Sequence, residues 1–219
     1  MPFPLFDRLA DYTVVWRHLP HWEQPGATYF ITWRTHDSLP RAVVERWLTE
    51  RAEWLAGHNL LVTRPAQAGS HIPPHLAAEY KRFVTERWES RLDECHGACV
   101  LKRPDLARVV ADSLLHFDGT RYAMGDFVVM PSHVHLLVCF PDDNQLRSQC
   151  RSWKKFTATQ INKHLGRSGE FWQDESFDHL VRSSEEFDGY RGYIADNPIR
   201  AKLTTASYVH YRAQEPVTE

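Results

Sequence analysis

The sequence predicts an α+β fold, with helices packed on one face of a sheet. Two observations predict it. Aromatic and β-branched runs near residues 27–35, 122–130 and 133–140 read as strands. Around them, apolar residues recur at helical spacing, giving the order β-α-α-α-β-β-α-β-α. A chain of 219 residues, 42% of them apolar, suffices for one ordinary core or at most two small ones.

The elements follow in order. Residues 1–26 lack clear periodicity. Ala27–Thr35 (ATYFITWRT) is the first strand. Pro40 stands where a helix begins, and Val43, Val44, Trp47, Leu48, Trp54 and Leu55 form its stripe. Asn59–Pro74 is rich in proline and reads as a loop. Leu76, Tyr80, Phe83, Val84, Trp88 and Leu92 then mark a second amphipathic helix. Together these two make an inserted helical hairpin, residues 41–96, within a single domain of residues 1–219. Pro104 opens the next helix at its first position, with Leu106, Val109, Val110, Leu114 and Phe117 apolar. Asp118-Gly119 ends it as a turn. Tyr122–Met130 and His133–Phe140 are strands around Pro131-Ser132. A helix from about Gln145 to Leu165 buries Leu146, Cys150, Trp153, Thr157 and Ile161. Glu175–Arg182 reads as a further strand. Ser183 and Glu186 have capping-box spacing for a last helix carrying Phe187, Tyr190, Tyr193 and Ile194. Pro198 should stop it.

Composition excludes some functions. No apolar run approaches 18 residues, so no transmembrane helix is expected. The N-terminal segment is acidic and aromatic, unlike a signal peptide. With four cysteines (Cys95, Cys99, Cys139, Cys150), a reduced cytoplasmic protein is expected. Cys95-His96-Gly97-Ala98-Cys99 has no downstream partner pair to complete a zinc site. The net charge of −2 is not that of a generic nucleic-acid binder, so any such contact must be local.

Three constellations point to chemistry. His133-Val134-His135 lies in a strand, where side chains alternate. Both imidazoles therefore share one face, roughly 7 Å apart at the backbone, and can converge on one divalent ion. Tyr193 and Asn197 lie one helical turn apart on a shared face. A phenol beside an amide offers a nucleophile beside a third metal ligand, with a core tyrosine as the alternative. Residues 147–167 hold Arg147, Arg151, Lys154, Lys155, Lys163 and Arg167 with no acidic residue. Arg147, Arg151 and Lys155 recur every four residues, with Lys154 beside them. This ridge is either a solvated face or a phosphate-binding one.

Taken together, these residues resemble the REP-associated tyrosine transposases, single-tyrosine HUH enzymes that act on single-stranded DNA. The matching segments are ATYFITWRTHDSLP, RYAMGDFVVMPSHVHLLV, SWKKFTATQIN, FWQDESFDHLVR and YIADNPIRAKL, in the family's order over roughly residues 20–203. The family reads M-P-N-H-x-H where this chain has Ser132 in place of the Asn. The resemblance implies a ferredoxin-like central antiparallel sheet, with residues 41–96 as an insertion. It implies that His133 and His135 bind magnesium or manganese, that Asn197 completes the site, and that Tyr193 is the nucleophile, with Tyr190 as fallback. It further implies a cytoplasmic enzyme whose partner is single-stranded DNA bearing REP-like hairpins; the family includes monomers and dimers, and a monomer is expected here, with a dimer as the alternative.

The activity so implied is metal-dependent cleavage and transfer of a DNA strand through a 5′-phosphotyrosine. Arg147, Arg151, Lys154 and Lys155 are candidates to contact the DNA. Trp153 is a weaker candidate, since it falls on the buried stripe. A hairpin-binding protein without strand transfer is the alternative. A histidine-triad phosphohydrolase would need histidine where Leu137 stands.

Overall fold

A hairpin opens the chain where the sequence has no clear periodicity. β1 (Thr13–Trp16) pairs antiparallel with β2 (Pro20–Glu23). Aromatic contacts support it: Tyr12 stacks on Trp22 with ring centroids 5.2 Å apart, and Phe6 meets both edge-on. These coordinates are a computed structural model that describes residues 3–16, 20–60, 72–141 and 145–214.

The central sheet is antiparallel throughout. It comprises β3 (Thr28–Arg34), β4 (Ala123–Val129), β5 (His133–Cys139), β6 (Phe177–Leu180) and β7 (Val209–Tyr211), in the order β6-β3-β5-β4-β7. Helix α3 (Pro104–Leu115) connects β3 to β4, and α4 (Gln145–His164) connects β5 to β6. The resulting βαββαβ unit, with its first strand between the fourth and third, is ferredoxin-like. β7 extends the β4 edge. Beside Met124 the pairing of β4 with β5 shifts register, and the bulge holds Gly125. A Cβ on Gly125 would lie 2.9 Å from the Cβ of Leu137, so the close approach requires glycine.

Both faces of the sheet are covered, which corrects the expectation of helices on one face. The physical reason is β5, every residue of which is buried. On the first face, Tyr29, Ile31, Trp33, Val134, Leu136 and Val138 pack against Leu106, Val110 and Leu114 of α3 and Trp153 and Ile161 of α4. On the second, Phe30, Val128 and Leu137 meet Ile194 of α5 (Ser184–Arg200). Helix α5 passes through Pro198 and ends at Arg200, two residues later than expected. Proline in the last turn forfeits one backbone donor but leaves its own carbonyl in use, accepting from Leu203 N–H at 2.9 Å.

The chain divides into two compact units, Met1–His36 with Cys99–Glu219, and Asp37–Ala98. The second contains α1 (Arg41–Gly57) and α2 (Ala77–Asp93), the anticipated hairpin. Its small core joins Leu55 and Tyr80 to Trp54, Phe83 and Val84. The guanidinium of Arg91 is buried and donates to Glu50 at 2.6 Å. Residues 61–71 of the loop and the side chain of Trp88 lie outside the described residues. Cys95 and Cys99 are disulfide-bonded, while Cys139 and Cys150 are free buried thiols. The expectation of four reduced cysteines is therefore corrected. Left-handed backbone at both Cys95 (φ 54°) and Cys99 (φ 48°) curls the short segment.

Candidate active site

Alternation along β5 sends Val134, Leu136 and Val138 into the first core and His133, His135 and Leu137 to the second face. The two imidazole centroids are 4.7 Å apart. Helix α5 brings the phenol to them. Ser183 caps the helix by accepting from Glu186 N–H at 3.1 Å. The Glu186 carboxylate accepts from Arg182 N–H at 2.7 Å and meets His179 Nε2 at 2.9 Å. Tyr190 stacks on Phe30 with centroids 4.1 Å apart. Arg191 Nε donates to the buried carboxylate of Asp126 on β4 at 3.1 Å. Three elements of the sheet thus fix the roll of α5. That roll places the Tyr193 hydroxyl 3.3 Å from His135 Nε2.

Burial sets the charge state of the pair. His133 is 1% exposed and His135 3%. Desolvation pushes the His133 imidazole down to about 4, helped by the charge of Arg34 and opposed by the Asn197 side chain. His135 is driven well below its ordinary value by burial, then by His133 and Arg200. Both rings are therefore neutral near pH 7, with lone pairs to offer. Thr32 Oγ1 lies 2.7 Å from His135 Nδ1, and Ser132 Oγ lies 3.2 Å from His133 Nδ1. With each Nδ1–H donated to its hydroxyl, both Nε2 atoms present lone pairs. His135 Nε2 then accepts from the Tyr193 hydroxyl. Ser132 thus holds the ring from the position where the family pattern has Asn.

These residues fit a divalent ion. The donors are two neutral imidazoles and the buried Oδ1 of Asn197, which stands beside the His133 ring and makes no well-formed hydrogen bond. A buried orphan acceptor costs about 1–3 kcal/mol, a cost that a cation beside it would remove. Two nitrogens and one amide oxygen suit a borderline ion such as manganese or a magnesium ion that keeps several waters. Among the described residues no group of three or more His, Cys, Asp or Glu is placed to hold a metal. An ion held here would need the amide as its third protein donor.

The structure gathers His133, His135, Tyr193 and Asn197, and separates them from the basic ridge. Arg147, Arg151, Lys154 and Lys155 lie on α4, which covers the opposite face of the sheet. Arg147 Nε pairs with Glu23 at 2.7 Å, and Lys154 Nζ donates to the carbonyls of Gln173 and Asp174 at 3.2 and 2.5 Å. Arg151 and Lys155 are exposed. Trp153 is core, as its place on the buried stripe implied. Tyr190 belongs to the aromatic stack, and burial raises its phenol. Gly189 and Gly192 face open space.

Sequence reasoning missed Thr32, Arg34 and Arg200. The guanidinium of Arg200 lies 5.6 Å from the centroid of the Tyr193 ring. Arg34 is paired directly with His133 across the β3–β5 ladder. Arg200, three residues beyond Asn197, was recoverable from helical spacing. Thr32 and Arg34 depend on a register between strands about a hundred residues apart.

No family model matches this chain, and no curated protein matches it. Among solved structures it is similar to a REP-associated tyrosine transposase bound to a REP hairpin. That likeness has a TM-score of 0.40 and 14% identity, and covers 91% of this chain and 94% of the other. No helix among the described residues is long and apolar enough to cross a membrane.

Proposed function

We propose that this protein cleaves and rejoins single-stranded DNA at hairpin-flanked sites, with Tyr193 as nucleophile. The observation that carries the reading is the 3.3 Å approach of the Tyr193 hydroxyl to His135 Nε2, within a pair of buried neutral imidazoles. A stacked core tyrosine has no need of that geometry, and Tyr190 in the same helix shows the contrast.

His133, His135 and Asn197 would hold a magnesium or manganese ion. Once bound, the ion supplies Lewis-acid stabilisation of charge developing on the phosphate. Tyr193 Oη gives up its proton to solvent and attacks phosphorus in line, forming the Tyr–O–P bond as the P–O3′ bond breaks and the leaving O3′ takes up a proton. The products are a 5′-phosphotyrosine and a free 3′-hydroxyl, and attack by another 3′-hydroxyl reverses the step. In the metal-free site His135 Nε2 holds the phenol; with an ion bound that lone pair would serve the ion, leaving Tyr193 Oη beside it, and Thr32 orients His135. Arg200, beside the Tyr193 ring, offers positive charge to a phenolate formed there. On the far face of the sheet, the exposed Arg151 and Lys155 are one helical turn apart and would contact the DNA backbone.

The test incubates the protein with labelled single-stranded hairpin DNA and manganese, and resolves the products under denaturing conditions. The expected result is a DNA-linked protein band that Tyr193→Phe abolishes. Hairpin binding with no cleavage would overturn the strand-transfer reading in favour of a hairpin-binding protein.

A further inference from the structure

We propose that the strip of sheet beside α5, formed by Phe177, Thr32 and Arg34, is the bed for the nucleotide next to the scissile phosphate. Phe177 would stack its base and Arg34 would hold a flanking phosphate. The inference rests on the reading of the site as a single-stranded DNA nuclease and names where that substrate lies.

The register carries the argument. Thr32 pairs with His135 on one side and with Phe177 on the other. Residues paired across a sheet share a face. Phe177, Thr32 and His135 therefore form one row on the face that carries the imidazoles. The neighbours of Phe177 agree: Leu180 joins the opposite core, while His179 reaches Glu186 of α5. Two interstrand spacings place the Phe177 backbone roughly 10 Å from that of His135. This is within reach of an adjoining nucleotide.

Helix α5 crosses the sheet diagonally, over His179, Phe30 and His135, and leaves Phe177 at the edge of the strip open to solvent. Its Glu186 lies on His179, Tyr190 on Phe30, and Tyr193 against His135. Phe177, one residue pair along from His179 on β6, is 48% exposed. Thr32 and Arg34 are half-buried. A phenylalanine nearly half open to solvent on an edge strand gains little from burial, whereas every base offers a face to stack on it. Arg34 follows Thr32 on the same side of β3. An aromatic platform beside a cation, adjoining a candidate phosphodiester-cleaving centre, matches a base and its phosphate.

The test uses single-stranded hairpin oligonucleotides with randomised tails containing 5-iododeoxyuridine. Photocrosslinking to Tyr193→Phe protein, followed by mass spectrometry, should place a base on Phe177 within the tryptic peptide Ser168–Arg182. Phe171 and Trp172 of that peptide are buried. Phe177→Ala should abolish the crosslink and Phe177→Trp should restore it. In otherwise wild-type protein, Phe177→Ala should raise the DNA concentration for half-maximal adduct formation roughly tenfold to a hundredfold, with yield at saturation retained. Arg34→Gln should weaken binding and flatten its salt dependence. A covalent adduct in wild type with unchanged concentration dependence and crosslinking in Phe177→Ala would overturn this inference alone. Absence of the adduct in wild type would overturn the nuclease reading itself.

Discussion

Replacing His133 with asparagine should flatten the pH dependence of stability in metal-free buffer. The His133 imidazole falls from 6.5 to about 4 because burial disfavours its charged form. Below pH 6.5 the unfolded chain binds a proton that the folded chain refuses. Stability from this group is therefore complete above 6.5 and is lost as pH falls towards 4. At about 1.36 kcal/mol per unit, the shift corresponds to about 3 kcal/mol across that window. His135 acts in the same direction. Urea denaturation at a series of pH values between those limits gives the slope directly. Asn cannot titrate, so the variant should lose up to about 1.4 kcal/mol per pH unit of slope relative to wild type. His210 is also lowered by burial, but it is present in both proteins and cancels. Equal slopes would refute the reasoning, because they would mean that the folded site accepts the proton as readily as the unfolded chain does.

Arg191→Met leaves the buried Asp126 carboxylate without its cation, and should cost about 3–5 kcal/mol in chemical denaturation. The double variant with Asp126→Asn should recover much of that loss, as a double-mutant cycle would show. Asn197→Ala removes the orphan amide oxygen, so manganese should raise the melting temperature of wild type and raise it much less in the variant. Gly192→Ala, with nothing within 4 Å of the new methyl, should stabilise the helix by about 1 kcal/mol in thermal or urea unfolding.

What was legible in the sequence was whatever repeats locally. β5 was readable because seven successive buried residues leave a dense apolar run, and period two then put His133 and His135 on one face. Tyr193 and Asn197 were joined by one helical turn, and the Ser183 cap by its three-residue spacing to Glu186. The unread strands are short: β1 and β2 have four residues each and β7 three, too few for alternation to stand out. The partners of the site were hidden for another reason. Thr32 and Arg34 meet it only through pairing between distant strands, and a register is a property of the assembled sheet.

The same distinction explains the basic ridge. An amphipathic stripe identifies which side of α4 is buried, but it carries no information about which face of the sheet receives it. Trp153 packs on Trp33, whose neighbours Thr32 and Arg34 point the other way, towards the imidazoles. One strand thus separates two surfaces. Its odd positions, Tyr29, Ile31 and Trp33, anchor the helix that bears Arg151 and Lys155. Its even positions supply the stacking and orienting groups at His135 and the cation beside His133. Contacts at the α4 ridge should therefore affect how tightly DNA is held, while changes at Thr32, which orients His135, should affect whether the bound strand is cut. Measuring binding and adduct formation separately for Lys155→Gln and Thr32→Val distinguishes the two. The first should weaken binding with little loss of adduct at saturation, and the second should do the reverse.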